Sequence, residues 1–148
     1  MTKLLLVEDD VNLRDIYYAR FQAENYELAV ASNGEEALAM AVKEKPDLIV
    51  LDVMMPRISG FDVLDILRST PETAHTKVIM MTALSEEADK ARGKALGVNE
   101  YLVKSQVTLE DVVTTVKRVI GETSAAADSA PTAPAPTAPA PTPPTPSV

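Results

Sequence analysis

Apolar and polar positions alternate between two rhythms over the first 122 residues. Continuous apolar runs at residues 4–7 and 48–51 show no polar alternation, which fits strands buried on both faces of a parallel sheet. Further strand-like stretches lie at 27–31, 77–82 and 99–103. Between them the apolar residues take helical spacing: Leu13, Ile16, Tyr17 and Phe21 with Arg20; then Ala37, Leu38, Ala41 and Val42, stopped by Pro46. Phe61, Val63, Leu64, Ile66 and Leu67 mark a third helix ending before Pro71. Ser85 is expected to cap a fourth through about Leu96, with Glu86 and Glu87 in its first turn and Gly97 ending it. Leu109, Val112, Val113, Val116, Val119 and Ile120 form the clearest helical stripe.

Five strands alternating with five helices predict an α/β fold: a doubly wound, five-stranded parallel sheet, flavodoxin-like with strand order 2-1-3-4-5, covered by helices on both faces. Residues 1–122 suffice for it. Residues 123–148 hold 8 of the 11 prolines, one charge and two tandem Thr-Ala-Pro-Ala-Pro copies from Thr132, so they are expected to be a disordered tail without a core. As polyproline II, residues 131–146 would reach on the order of 50 Å.

Composition narrows the function. The chain has 148 residues, 46% hydrophobic and 24% charged, enough for one core and too few for two ordinary domains. A formal charge of −8 and scattered Lys and Arg argue against a grip on nucleic acid. The absence of Cys excludes disulfides, thiolate metal sites and cysteine nucleophiles. The apolar run near Met1 is too short for a signal or membrane segment, so a soluble cytoplasmic protein without membrane insertion is expected.

The candidate chemistry sits at strand ends. The third apolar run stops at Asp52, and the first at Glu8, Asp9 and Asp10. In this winding the first and third strands are neighbours, and ligands bind beyond the carboxyl ends of the strands. Glu8, Asp9 and Asp52 are therefore expected in one cleft, their repulsion relieved by a hard cation; Mg²⁺ prefers carboxylate, water and phosphate oxygens in an octahedron. Asp10 reads as a helix N-cap only. Thr82 closes the fourth strand and Lys104 the fifth, where a hydroxyl and an ammonium can each meet a phosphoryl oxygen. Taken singly, each has a plainer reading: a turn acid for Asp52, β-propensity for Thr82, a solvated charge for Lys104.

These residues resemble the receiver domain of two-component response regulators, over about residues 2–121. The matching motifs are Leu-Val-Glu-Asp-Asp at the first strand, Leu-Asp-Val-Met-Met-Pro-Arg-Ile-Ser-Gly around Asp52, Met-Thr-Ala at 81–83 and Tyr-Leu-Val-Lys at 101–104. The resemblance implies that Asp52 accepts a phosphoryl group from a sensor histidine kinase or phosphotransfer protein. It further implies that Asp9, Asp52 and the Met54 carbonyl bind Mg²⁺ with help from Glu8 through water. Thr82 and Tyr101 then look like the switch pair, and Lys104 like the phosphoryl-contacting lysine, which pairs with Asp52 before phosphorylation. The output surface would be the fourth helix, fifth strand and fifth helix, open to an unknown protein target or a second copy of the chain. One departure stands out: Ser105 follows Lys104 where the family usually has proline. A cis X-Pro bond is thereby excluded, and a cis bond to serine costs about 2.5 to 4 kcal/mol.

Two rival classes remain. A nucleotide or flavin enzyme would need a phosphate-cradling loop, and the five glycines, at 34, 60, 93, 97 and 121, are isolated. A non-phosphorylated interaction module would use the same fold and the proline-rich tail. No helix-turn-helix follows residue 122, so direct DNA binding is not expected. His75 reads as a solvated loop residue, and Met80 and Met81 as core filling.

Overall fold

The computed structural model describes residues 2–83 and 86–121. The expected Ser85 cap and the tail lie outside the described residues. Five strands, β1 (Lys3–Val7), β2 (Glu27–Ala31), β3 (Leu48–Asp52), β4 (Lys77–Thr82) and β5 (Glu100–Val103), form one parallel sheet in the order β2-β1-β3-β4-β5. The helices between and after them are α1 (Val11–Ala23), α2 (Gly34–Glu44), α3 (Gly60–Ser69), α4 (Glu87–Ala95) and α5 (Leu109–Ile120). The doubly wound fold read from the sequence is the fold observed.

The apolar runs make sense once both sheet faces are covered. Leu4, Leu6, Leu48, Val50, Ile79 and Met81 point to one face, against Tyr17 and Phe21 of α1 and Val112, Val113 and Val116 of α5. Their strand neighbours Leu5, Val7, Ile49, Leu51, Val78 and Met80 point to the other, against Ala37 and Ala41 of α2 and Phe61, Val63, Leu64 and Leu67 of α3. Alternation is thus present, but both phases are apolar because neither face meets water. Burying each Leu, Ile or Met here contributes about 1.5 to 3 kcal/mol, the main force holding the layers together.

Helix starts follow local chemistry. Asp10 caps α1 by accepting from the Leu13 amide at 3.1 Å, the one role expected of it. Ser59 with Asp62, and Thr108 with Asp111, form reciprocal capping boxes at α3 and α5. Helix α2 ends at Glu44, and Lys45 takes the left-handed conformation just before Pro46.

Several local expectations need correction. Helix α4 begins at Glu87, with Glu86 outside it in extended conformation and making no side-chain cap bond. Asn99 precedes β5 instead of opening it: its amide donates to the Val78 carbonyl and its side chain accepts from the Val78 amide, so it closes the start of β4. Ile16, Val42 and Ile66, which share the apolar spacing of their helices, are 52%, 42% and 44% exposed. In α1 the buried stripe is the narrower pair Tyr17 and Phe21, four residues apart, and Ile16 falls one step off it.

Candidate functional site

The carboxyl ends of β1, β3, β4 and β5 converge on one pocket. Register pairs Val7 with Leu51, which places Glu8 beside Asp52. Asp52 pairs with Met81, and Thr82 with Val103, which brings Thr82 and Lys104 to the same edge. Glu8 and Asp52 are 3% and 2% exposed, while Asp9 faces solvent. One oxygen from each of Glu8, Asp9 and Asp52 lies within 4.8 Å of the others.

Lys104 reaches into this cluster from the end of β5. Its Nζ lies 3.1 Å from Glu8 Oε1 and 3.4 Å from Asp52 Oδ1. The sequence suggested pairing with Asp52 alone; the structure gives two carboxylates, with Glu8 the nearer. Lys104 opens a short 3-10 turn, Lys104–Gln106, and the described residues contain no cis peptide bond, so Ser105 follows in trans. The lysine therefore reaches the acids without the family's usual proline behind it.

The backbone fixes the acids in place. The Met54 amide donates to Asp52 Oδ1 at 3.2 Å, and the Asp10 amide to Glu8 Oε2 at 3.2 Å. Gly60 at the start of α3 lies so close that a Cβ there would come 2.5 Å from the Asp52 carbonyl oxygen. Burial, followed by the charge of Glu8, pushes the Asp52 carboxyl up to about 7, against the opposing pull of Lys104. Burial lowers the Lys104 ammonium, but Asp52 and Glu8 outweigh it and the net direction is up.

Thr82 is fully buried, and its side chain shares a hydrogen bond with Tyr101. Tyr101 is registered with Met80, and its ring packs against Gly93 of α4, where a Cβ would sit 3.0 Å from it. Burial raises the phenol first and the charge of Asp89 second, while the Thr82 bond lowers it. The two residues named as a switch pair are therefore joined directly.

The residues fit a hard divalent cation. Two buried carboxylates and one exposed carboxylate meet at oxygen-ligand spacing, with one cation, Lys104, set against them. Sequence reasoning missed Arg14, whose guanidinium donates to the Glu8 carbonyl at 3.4 Å and to Ser32 Oγ at 3.0 Å, tying α1 and the end of β2 to the metal-side loop. Its position one turn into α1, directly after the acid cluster, was the only available signal. His75 is exposed in the loop before β4, and Met80 and Met81 are buried, as read from the sequence.

The sequence model of the response regulator receiver domain matches residues 4–117, which takes in the acids, the threonine and the lysine. This chain belongs to the response regulator receiver domain family. Among curated relatives, the probable transcriptional regulator ycf27 of Porphyra purpurea is 43% identical over 102 residues, covering 69% of this chain and 41% of that protein. The alkaline phosphatase synthesis transcriptional regulatory protein PhoP of Bacillus subtilis is 37% identical over 128 residues, 86% of this chain and 52% of that protein. The chain thus spans about half or less of the length of these relatives. Among solved structures, chemotaxis protein CheY4 of Vibrio cholerae has a TM-score of 0.75 at 34% identity, covering 80% of this chain and 98% of that one. TrrA of Thermotoga maritima, solved in complex with Mg²⁺ and BeF, has a TM-score of 0.71 at 34% identity, covering 80% and 99%. The receiver domain is a module of two-component signalling, and the acidic pocket of Glu8, Asp9 and Asp52 suits Mg²⁺ binding and aspartate phosphorylation. Among the described residues no helix is long and apolar enough to cross a membrane.

Proposed function

We propose that this receiver domain takes a phosphoryl group onto Asp52 from the phosphohistidine of a sensor kinase or phosphotransfer protein. An Asp52 oxygen attacks phosphorus, the P–N bond breaks, and the leaving imidazole takes a proton. The observation that carries this reading is the buried Asp52 carboxyl with the Lys104 ammonium 3.4 Å away and Glu8 beside it. Asp9, Asp52 and the Met54 carbonyl would hold Mg²⁺, with Glu8 acting through water. The metal supplies charge neutralisation for the acids and the incoming phosphoryl oxygens.

The chain's own groups divide the remaining work. Lys104 leaves Asp52 and Glu8 to pair with a phosphoryl oxygen, a charge-assisted contact it keeps only in the phosphorylated state. Thr82 donates its hydroxyl to a second phosphoryl oxygen, and Tyr101, already bonded to Thr82, carries that movement to Gly93 and α4. The face formed by α4, β5 and α5 is then the output surface, read by a protein target or by a second copy of the chain. Residues 1–122 make up this unit, and 123–148 serve as a tether. No contact with nucleic acid or membrane enters the scheme.

The test is exposure to a small phosphodonor with and without Mg²⁺, followed by mass mapping of the added phosphate. Lys104→Ala is expected to accept some phosphate and yet fail to change partner affinity. A Lys104→Ala protein that switches like the parent would remove the lysine from signalling.

A further inference from the structure

Among the described residues, helix α4 is anchored firmly at one end only. Its first turn has no side-chain cap bond, and Glu86, Glu87 and Ala88 are exposed. At the other end Leu96 and Val98 pack on the core, the Val98 amide donates to the Gly93 carbonyl at 3.1 Å, and the Asn99 amide donates to the Val78 carbonyl at 2.9 Å.

Arg68 makes the anchored end rigid. From the last turn of α3 its Nη2 and Nε donate to the Gly97 carbonyl at 2.8 and 3.3 Å, while Nη1 donates to the Thr76 carbonyl at 2.7 Å. One planar guanidinium thus ties the turn after α4 to the residue before β4, a fork that a lysine cannot reproduce. Gly97 takes a φ of 90°, and a Cβ there would come 3.1 Å from Arg68 Nε, so only glycine lets the turn sit this close. The Tyr101 ring meets the helix at Gly93, four residues before this anchor. At about 1.5 Å per residue, Gly93 lies roughly 6 Å and Glu87 roughly 15 Å from Gly97 along the axis, so a push at Gly93 is enlarged about 2.5-fold at Glu87.

We propose that α4 is a lever turning about Gly97 with Arg68 as its pin, so that a movement of Tyr101 swings the Glu87 end. The Arg92 guanidinium, 4.4 Å from the centre of the Phe61 ring, flanks the arm and slides over the ring face as the helix turns. This rests on the reading of Asp52 as phosphoacceptor and of Thr82 and Tyr101 as its switch pair.

The sequence has no Cys, so spin labels go only where a Cys is introduced. Full-length protein is labelled in pairs, with one label at Lys43→Cys on α2 or Thr114→Cys on α5 and the other at Glu87→Cys or Lys94→Cys. Distances are measured before and after a small phosphodonor with Mg²⁺. A lever pinned at Gly97 gives a shift at Glu87 about three times that at Lys94, and in Arg68→Gln a ratio falling toward about one. Arg68→Lys, which keeps the charge and loses the fork, is expected to do the same and serves if the glutamine variant does not fold. A helix that merely loses stability would not change this ratio. Equal shifts in the parent, no shift in phosphorylated parent, or a parental ratio in a folded Arg68 variant overturns the inference. If the parent takes no phosphate, the reading of Asp52 falls and the resting protein decides: a broader distance distribution at Glu87 than at Lys94, with Lys94 broadening in Arg68→Gln, upholds the pin, and equal widths overturn it.

Discussion

Asp52 is a carboxylate held where its charged form is disfavoured, and that follows from its position at the end of an apolar strand with Glu8 alongside. Its folded pKa of about 7 stands above the ordinary value of 3.8. Folding therefore takes up a proton between about pH 4 and pH 7. Stability contributed by the protonated group is complete below pH 4 and is lost as pH rises through 7. In chelator-containing buffer the parent should accordingly be less stable to urea at pH 8 than at pH 5, by on the order of a few kcal/mol at about 1.4 kcal/mol per unit. Asp52→Asn should flatten that slope and be the more stable protein at pH 8. A parent whose midpoint holds level across this range would contradict the burial argument. At this scale the site was legible in the sequence, because acids ending apolar runs are costly unless used. The Lys104 contact to Glu8 and the support from Arg14 were not, since each depends on how α1 and the β5 loop lie over the sheet.

At the scale of elements, strand ends and helix starts are fitted tightly enough to set the geometry of the pocket. Gly60 shows this best. An added Cβ would meet backbone, the Asp52 carbonyl oxygen at 2.5 Å and Val53 Cα at 2.8 Å, and backbone cannot yield as a flexible side chain does. Gly60→Ala should cost about 1 to 3 kcal/mol in urea denaturation, the range for overpacking, and should slow labelling of Asp52 as the strand end shifts. Parental stability and labelling in that variant would mean that α3 does not fix the acid. Strands β2 and β4 were read to the residue because turn residues or charges bound them sharply. Helix α4 was not: it buries only Gly93 and has no side-chain cap bond, so neither spacing nor capping marks its start clearly. Asn99 was misplaced for a related reason, its side chain substituting for a strand partner at Val78.

At the scale of the whole, the described residues form two apolar layers around one sheet, with the acid pocket at the carboxyl ends of its strands and, as proposed, a route out through Thr82, Tyr101 and α4. That division was readable because five strand and helix alternations admit few topologies, and both faces of the strands are apolar. The bond between Thr82 and Tyr101 was less so, as their registers are offset by two positions. Coupling of this kind is typically about 1 to 3 kcal/mol, so phosphorylation should change affinity for a partner or for a second copy by roughly 5- to 150-fold. Thr82→Ala should lose most of that change. Removal of the residues after Gly121 should leave it intact, because Glu8, Asp9, Asp52, Thr82, Tyr101 and Lys104 all lie before it. Self-association measured with and without phosphodonor checks both; a Thr82→Ala protein that responds like the parent, or a response erased by truncation, would show that the signal takes another path.

The most direct measurement is the mass-mapped site of phosphate added by a small donor. With Mg²⁺, the parent should carry one phosphoryl group on the peptide containing Asp52; with chelator it should carry almost none, Asp9→Asn should be strongly impaired, and Asp52→Asn should remain unlabelled. Undiminished labelling of Asp52→Asn would place the acceptor elsewhere and contradict the assignment.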